Sequence, residues 1–184
     1  MAGPGAAPPA GHILLVGMMG SGKSTVGAAL AARLGVAHLD SDAEVRRRTG
    51  RSVPEIWRAE GEAAFRAEES RVLADALARP DRCVVDIAGG AVLDPANRAM
   101  IRRGGTVVWL RARPETLARR VGSGEGRPLL AGDPAGAVRR LEAQRRPLYS
   151  ELAECVVDVD DLTPAEVVER VAGVVGAAAA AGGS

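Results

Sequence analysis

The chain has 184 residues, enough for one α/β domain with a real core, and its 47% apolar and 26% charged residues are ordinary for a folded globular protein. A net charge of +1 gives no bulk pull toward nucleic acid or a membrane surface. Cys83 and Cys155 match no zinc spacing and read as small core residues, and no leader-like or membrane-spanning run is apparent, so a reducing cytoplasm is the expectation.

In chain order, residues 2–11 are all Ala, Gly or Pro, and 1–11 are expected to be a disordered arm. Ile13–Val16 predicts a parallel strand covered on both faces. Val26, Leu30 and Leu34 recur at helical spacing, with Gly35 as C-cap. Val36–Leu39 predicts a second strand that runs into Asp40-Ser41-Asp42, followed by a short helix that stops at Gly50. Ser52 and Glu55 form a capping box for Val53–Ala59, Gly61 breaks that helix, and a longer one follows to Ala78 with Phe65, Val72, Leu73 and Leu77 inward. Cys83–Ile87 predicts the third strand, Asp94 to Arg103 a short helix, and Thr106–Leu110 the fourth strand. Pro114 suits the first position of a helix that reaches Val121, and Gly122–Gly126 is too rich in glycine for regular structure. A helix over Ala135–Arg146 is expected to end or kink at Pro147. Val156–Val159 predicts the last strand and Pro164–Val175 the last helix, with a frayed tail at 177–184. Alternating strands and helices predict a single domain over 12–176, three-layered α/β/α, with a mostly parallel five-stranded sheet.

The chemistry starts at Gly17-Met18-Met19-Gly20-Ser21-Gly22-Lys23-Ser24-Thr25. A strand, a G-x-x-x-x-G-K-S turn and then a helix make a phosphate-binding P-loop, in which backbone N–H groups converge on an anion at a helix N-terminus. Lys23 would reach the β- and γ-phosphates, and the Ser24 hydroxyl would ligate Mg²⁺. Asp40 and Asp42 stand two apart at a strand's C-terminal end, where ligands of parallel sheets bind; if the strand continues, both face the loop. One could hold Mg²⁺ through water and the other orient an acceptor hydroxyl. Arg66, beside the scarce aromatic Phe65, suits a two-point grip on a carboxylate, and Gly89-Gly90 allows close approach to the backbone. Together these point to a small anionic acceptor. No N-K-x-D motif for reading guanine occurs.

The ordered set G-M-M-G-S-G-K-S-T, L-D-S-D (Leu39–Asp42), G-E-A-A-F-R (Gly61–Arg66), A-G-G-A (Ala88–Ala91), R-P-L-L (Arg127–Leu130) and R-R-P-L-Y (Arg145–Tyr149) resembles the shikimate kinases, from about Ile13 to Val175 in one register. The resemblance implies a fold like that of nucleoside monophosphate kinases and ATP-dependent phosphorylation of the 3-hydroxyl of shikimate; the alternative is a related kinase for another polyol acid such as gluconate. It implies Lys23, Asp42 and Arg127 in catalysis. Gly20, Ser21, Gly22, Lys23, Ser24, Thr25, Arg120, Arg127 and Pro164 would bind nucleotide. Asp42, Val53, Trp57, Phe65, Arg66, Gly89, Gly90 and Arg145 would bind shikimate, the two arginines on its carboxylate. Ser24, Asp40 through water, and Asp86 would serve Mg²⁺. A substrate-binding region at about 43–72, a lid at about 121–133 hinged on Gly122–Gly126, and a cytoplasmic monomer complete the expectation. Two positions depart from the family pattern. Ala88 replaces the first of three usual glycines, harmless if its φ is negative. Asp86 stands where a small hydroxyl residue is usual, and either joins the Mg²⁺ sphere or is a buried carboxylate bonded to the P-loop region.

Overall fold

In a computed structural model, residues 11–125 and 127–181 are described, and all but Gly11 of the expected arm at residues 1–11 lies outside them. Five strands form one parallel sheet in the order β2-β3-β1-β4-β5: β1 (His12–Val16), β2 (Ala37–Asp40), β3 (Cys83–Asp86), β4 (Gly105–Arg111) and β5 (Cys155–Asp158). The apolar run of β1 is central and wholly buried, with Ile13 aligned between Val84 of β3 and Thr106 of β4. Strands covered on both faces need no alternation, so Ile13-Leu14-Leu15-Val16 and Cys83-Val84-Val85 read as continuous apolar runs.

The helices are α1 (Lys23–Leu34), α2 (Ser41–Thr49), α3 (Val53–Leu77), α4 (Pro95–Gly104), α5 (Pro114–Val121), α6 (Pro134–Leu152) and α7 (Pro164–Ala181). Helix α1 packs with α7, whereas α3, α4 and α6 pack in succession, completing the three layers. A second, smaller core of Val45, Ile56, Phe65 and Val72 joins α2 to α3 beside the main one. The capping box forms, with both the N–H and the hydroxyl of Ser52 donating to Glu55. At Gly61 φ is 83° and ψ 172°, so α3 is two helices meeting at a kink that a residue with a Cβ would resist.

Four expectations need correction. Leu34 is 38% exposed; α1 buries Val26, Gly27, Leu30 and Ala31 instead. Helix α6 does not end at Pro147. An internal proline costs a helix about 3 kcal/mol, but Arg145, Tyr149 and Leu152 are buried along α6 and hold its second half in place. Helix α7 continues through the alanine run to Ala181, because alanine is the best intrinsic helix former; the rest of the expected frayed tail, 182–184, lies outside the described residues. Strand β2 does not run on past Asp40, so the two acidic residues there do not alternate along a strand. Cys83 is buried as expected, while Cys155 on the edge strand is only half-buried, and both are free thiols. Among the described residues no helix is long and apolar enough to cross a membrane.

Candidate active site

The chain leaves β1 at the centre of the sheet's C-terminal edge, where connections depart in opposite directions to β2 and β4, and such a switch point opens a crevice. Gly17–Gly22 curls across it into the N-terminus of α1. Lys23 Nζ donates to the carbonyls of Gly17 (2.7 Å) and Met18 (3.1 Å), which keeps the ammonium folded over the loop. Burial pulls the pKa of Lys23 down, and the carboxylates of Asp86, Asp42 and Asp40 act against it. Ser24 Oγ donates to Asp40 Oδ2 at 2.6 Å. These are hard oxygen donors with a free face toward the cavity, a set that suits Mg²⁺ with phosphate and water supplying the remaining positions.

Asp40 and Asp42 still share one cavity, by a different route from alternation. Asp40 is the N-cap of α2 and accepts the Ala43 N–H at 3.0 Å, while Asp42 lies in the first turn. Burial works upward on Asp40, but hydrogen bonds from Ser24 and Ala43 bring its pKa below the ordinary value. Burial and then the neighbouring Asp40 raise Asp42, opposed by Lys23, Arg46 and Arg66. One carboxylate is thus held as an anion next to Ser24, and the other is the more basic, which is how paired acids divide roles.

Asp86 does not bond to the phosphate loop. It is 3% exposed, and its Oδ2 lies 2.8 Å from His38 Nε2 on β2. The hydrogen bond to Asp86 raises His38, and burial raises Asp86 against that same bond. Gly27 of α1 makes room for both groups: a Cβ there would stand 2.7 Å from His38 Nε2 and closer still to Asp86 Oδ1. Gly27→Ala is therefore expected to cost about 1–3 kcal/mol by overpacking. Chemical denaturation of Gly27→Ala, Asp86→Ala and the double variant checks it, the double being much less than additive.

On the other flank a cavity of about 450 Å³ is lined by all the expected acceptor residues: Asp42, Val53, Trp57, Phe65, Arg66, Gly89, Gly90 and Arg145. The glycines serve the two arginines. A Cβ on Gly90 would fall 2.8 Å from Arg66 Cζ, and one on Gly89 would fall 3.3 Å from Arg145 Nη1. Arg66 Nη1 donates to both oxygens of Glu69 (3.1 and 3.0 Å), and its guanidinium lies 5.2 Å from the centre of the Phe65 ring. Burial pushes Glu69 up to about 7 against the pull of Arg66. Arg145 is 2% exposed, its Nε has no partner, and it forms no ion pair among the described residues. Ala88 lines the same cavity without a positive φ and its N–H donates to Ser41 Oγ at 2.9 Å, so a methyl is tolerated there.

Arg127 precedes a 3-10 turn, Pro128–Leu130, and lines both the acceptor cavity and the phosphate cavity. Its segment is anchored by buried Leu130, against which Gly124 packs. Gly122 and Gly124 have φ of 63° and 72°, conformations that suit a glycine hinge. Behind the P-loop a separate cleft is lined by Gly20, Ser21, Gly22, Thr25, Arg120 and Pro164. Arg120 Nη2 donates to the Val159 carbonyl at 2.8 Å, placing its guanidinium at that cleft. The expected acceptor, metal and catalytic residues therefore line two adjoining cavities on one side of the P-loop, whereas Ser21, Arg120 and Pro164 line the cleft behind it. Glu69 and Arg46, which also line the acceptor cavity, and His38, which bonds to Asp86, carried no motif, and only the faces of α2 and α3 and the pairing of β2 with β3 reveal them.

A family model described as shikimate kinase matches residues 19–175. A shikimate kinase of Ruegeria pomeroyi is 47% identical over 160 residues, covering 86% of this chain and 82% of that protein. One of Symbiobacterium thermophilum is 46% identical over 164 residues, covering 87% and 93%. Among solved structures, shikimate kinase from Acinetobacter baumannii in complex with shikimate superposes with a TM-score of 0.87 at 35% identity, covering 91% of this chain and 94% of that one. A gluconokinase from Sinorhizobium meliloti shares the fold, with a TM-score of 0.59 at 21% identity. With its phosphate loop, paired aspartates, twin arginines and arginine-bearing turn on one crevice, the chain belongs to the shikimate kinase family.

Proposed function

We propose that the chain transfers the γ-phosphoryl group of ATP to the 3-hydroxyl of shikimate, giving shikimate 3-phosphate and ADP. The observation that carries this reading is the buried Arg145, which forms no ion pair among the described residues, beside Arg66. A guanidinium taken out of water without an anion is costly, so the cavity is built to receive one, and two arginines facing Asp42 suit a carboxylate at one end of a ring and a hydroxyl at the other. Asp42 accepts the proton of the attacking hydroxyl as its oxygen bonds to the γ-phosphorus, and the bond from phosphorus to the β–γ bridging oxygen breaks to release ADP. Lys23 and the N–H groups of Gly20, Gly22, Ser24 and Thr25 hold the phosphates, and Ser21 supports the loop from its buried position. Arg127 closes over the charge in transit, with residues 121–133 as its lid. Arg120 and Pro164 bracket the base. Ser24, Asp40 through water, and Asp86 in the same acidic surround would hold Mg²⁺, which would neutralise phosphate charge. The working form is a cytoplasmic monomer built of one domain over 12–176, with its acceptor region at about 43–72; neither nucleic acid nor a membrane takes part.

A coupled assay of ADP release with and without shikimate tests the reaction, and turnover that ignores shikimate or prefers gluconate would overturn it. Arg66→Ala and Arg145→Ala are each expected to raise the KM for shikimate by roughly 10- to 100-fold, the value of a hydrogen-bonded charge pair, with the KM for ATP within about twofold. Unchanged acceptor affinity in both variants removes the assigned carboxylate site.

A further inference from the structure

Tyr149 closes the R-R-P-L-Y motif and is the chain's one tyrosine. It lies on α6 one turn beyond Arg145 and is 1% exposed. Its hydroxyl donates to the carbonyl oxygen of Gly89 at 2.8 Å and stands 3.8 Å from Met18 Sδ in the phosphate loop. A Cβ at Gly89 would meet that hydroxyl at 3.2 Å, Arg145 Nη1 at 3.3 Å and the Gly17 carbonyl at 3.3 Å, so α6 and the P-loop close on the same peptide. Burial pushes the phenol up to about 12, so it remains a donor at any pH at which the chain works.

The peptide from Gly89 to Gly90 is planar and trans, so pinning its carbonyl also fixes the direction of the Gly90 N–H. That N–H has no partner among the described residues, and Gly90 lines the acceptor cavity. The Ala91 N–H closes a turn around this peptide onto the Ala88 carbonyl at 3.0 Å, and with no Cβ on either glycine the Tyr149 hydroxyl adds a side-chain bond to the turn's central carbonyl. We propose that Tyr149 is a positioning residue for the acceptor: through the Gly89 carbonyl it sets the Gly89–Gly90 peptide, and along its own helix it sets the Arg145 guanidinium against that peptide. The acceptor's carboxylate and ring hydroxyls then meet a surface that is in place before they arrive, which lowers the ordering cost of binding. This rests on the acceptor site proposed above.

Tyr149→Phe keeps the ring and its packing 5.8 Å from the Trp109 ring, and removes only the hydroxyl. Titrations of the full chain with shikimate and with Mg-ADP, followed by calorimetry, are expected to show shikimate weakened about 3- to 10-fold, the cost of ordering on binding a peptide no longer held in advance, with Mg-ADP within about twofold. A purely structural role would lower thermal stability and leave both affinities alike, and that result overturns the proposal, as does unchanged shikimate affinity. Wild-type protein that binds no shikimate would instead sink the acceptor reading itself. Should Tyr149→Phe not fold, labelling the chain with 3-fluorotyrosine puts a single ¹⁹F reporter at this hydroxyl; its resonance is expected to move on saturation with shikimate, and one that stays put overturns the proposal.

Discussion

Replacing Asp42 by asparagine is expected to lower kcat by about 10²- to 10⁴-fold, the range lost when a positioned general base is removed, while ATP binds within about twofold of wild type. Asparagine has the same shape and can still face the acceptor hydroxyl, but it cannot take the proton and carries no charge. The loss is large because Asp42 is the more basic of two adjacent carboxylates: burial and Asp40 push it up, while Asp40 is committed to Ser24 and the Ala43 N–H. Asp40 therefore cannot substitute for it. The coupled ADP-release assay gives kcat, and a fluorescent nucleotide titration gives ATP affinity. Turnover within tenfold of wild type would show that the hydroxyl needs no base from this residue. Phosphoryl transfer through a loose transition state makes that outcome a meaningful one.

The second large effect is expected at Arg127. Arg127→Ala should reduce kcat by about 10³-fold, toward the lower end of the range for an arginine that stabilises a transferring phosphoryl group, with the dissociation constant for shikimate changed by less than about threefold. Arg127 is exposed on its 3-10 turn yet lines both cavities, and so can act on the group passing between them. Arg127→Lys is expected to recover only a small part of the loss, because an ammonium lacks the planar two-point fork. Steady-state kinetics give kcat, and quenching of Trp57 in the acceptor cavity reports shikimate binding separately. An equal loss in kcat and in shikimate affinity would move Arg127 from the phosphoryl group to the acceptor.

Much of this arrangement is legible in the chain because its strongest signals are local. Strands such as Ile13–Val16 and helix starts such as Ser52 and Pro114 are written within a few residues, and so is the phosphate loop. The corrections fall where tertiary packing outweighs local preference. Pro147 reads as a stop or a kink, and burial of Tyr149 and Leu152 carries α6 through it. Leu34 fits the helical period but lies at the last residue of α1, where the core covers it only in part. Asp40 and Asp42 converge because an N-cap turns the chain into α2 just past β2, a turn that strand alternation does not anticipate. The His38–Asp86 pair lies beyond sequence reasoning for another reason: 48 residues separate the partners, and only the register of β2 on β3 brings them together beside Gly27. Glu69 likewise has no motif, but it sits three residues after Arg66 on α3, a spacing at which helix neighbours meet.

The strand order has a consequence for how the protein is made. The central strand is the first to be synthesised, but its neighbours β3 and β4 come from residues 83–86 and 105–111, and Arg145 arrives later still. A nascent chain that has emerged only as far as α2 holds the phosphate loop with neither flanking strand, and its one apolar strand has both edges unpaired. Parallel pairing over such separations is slow, since loop closure must precede the contacts that reward it. Folding is therefore expected to be largely post-translational, with phosphate binding and acceptor binding acquired together when α6 docks.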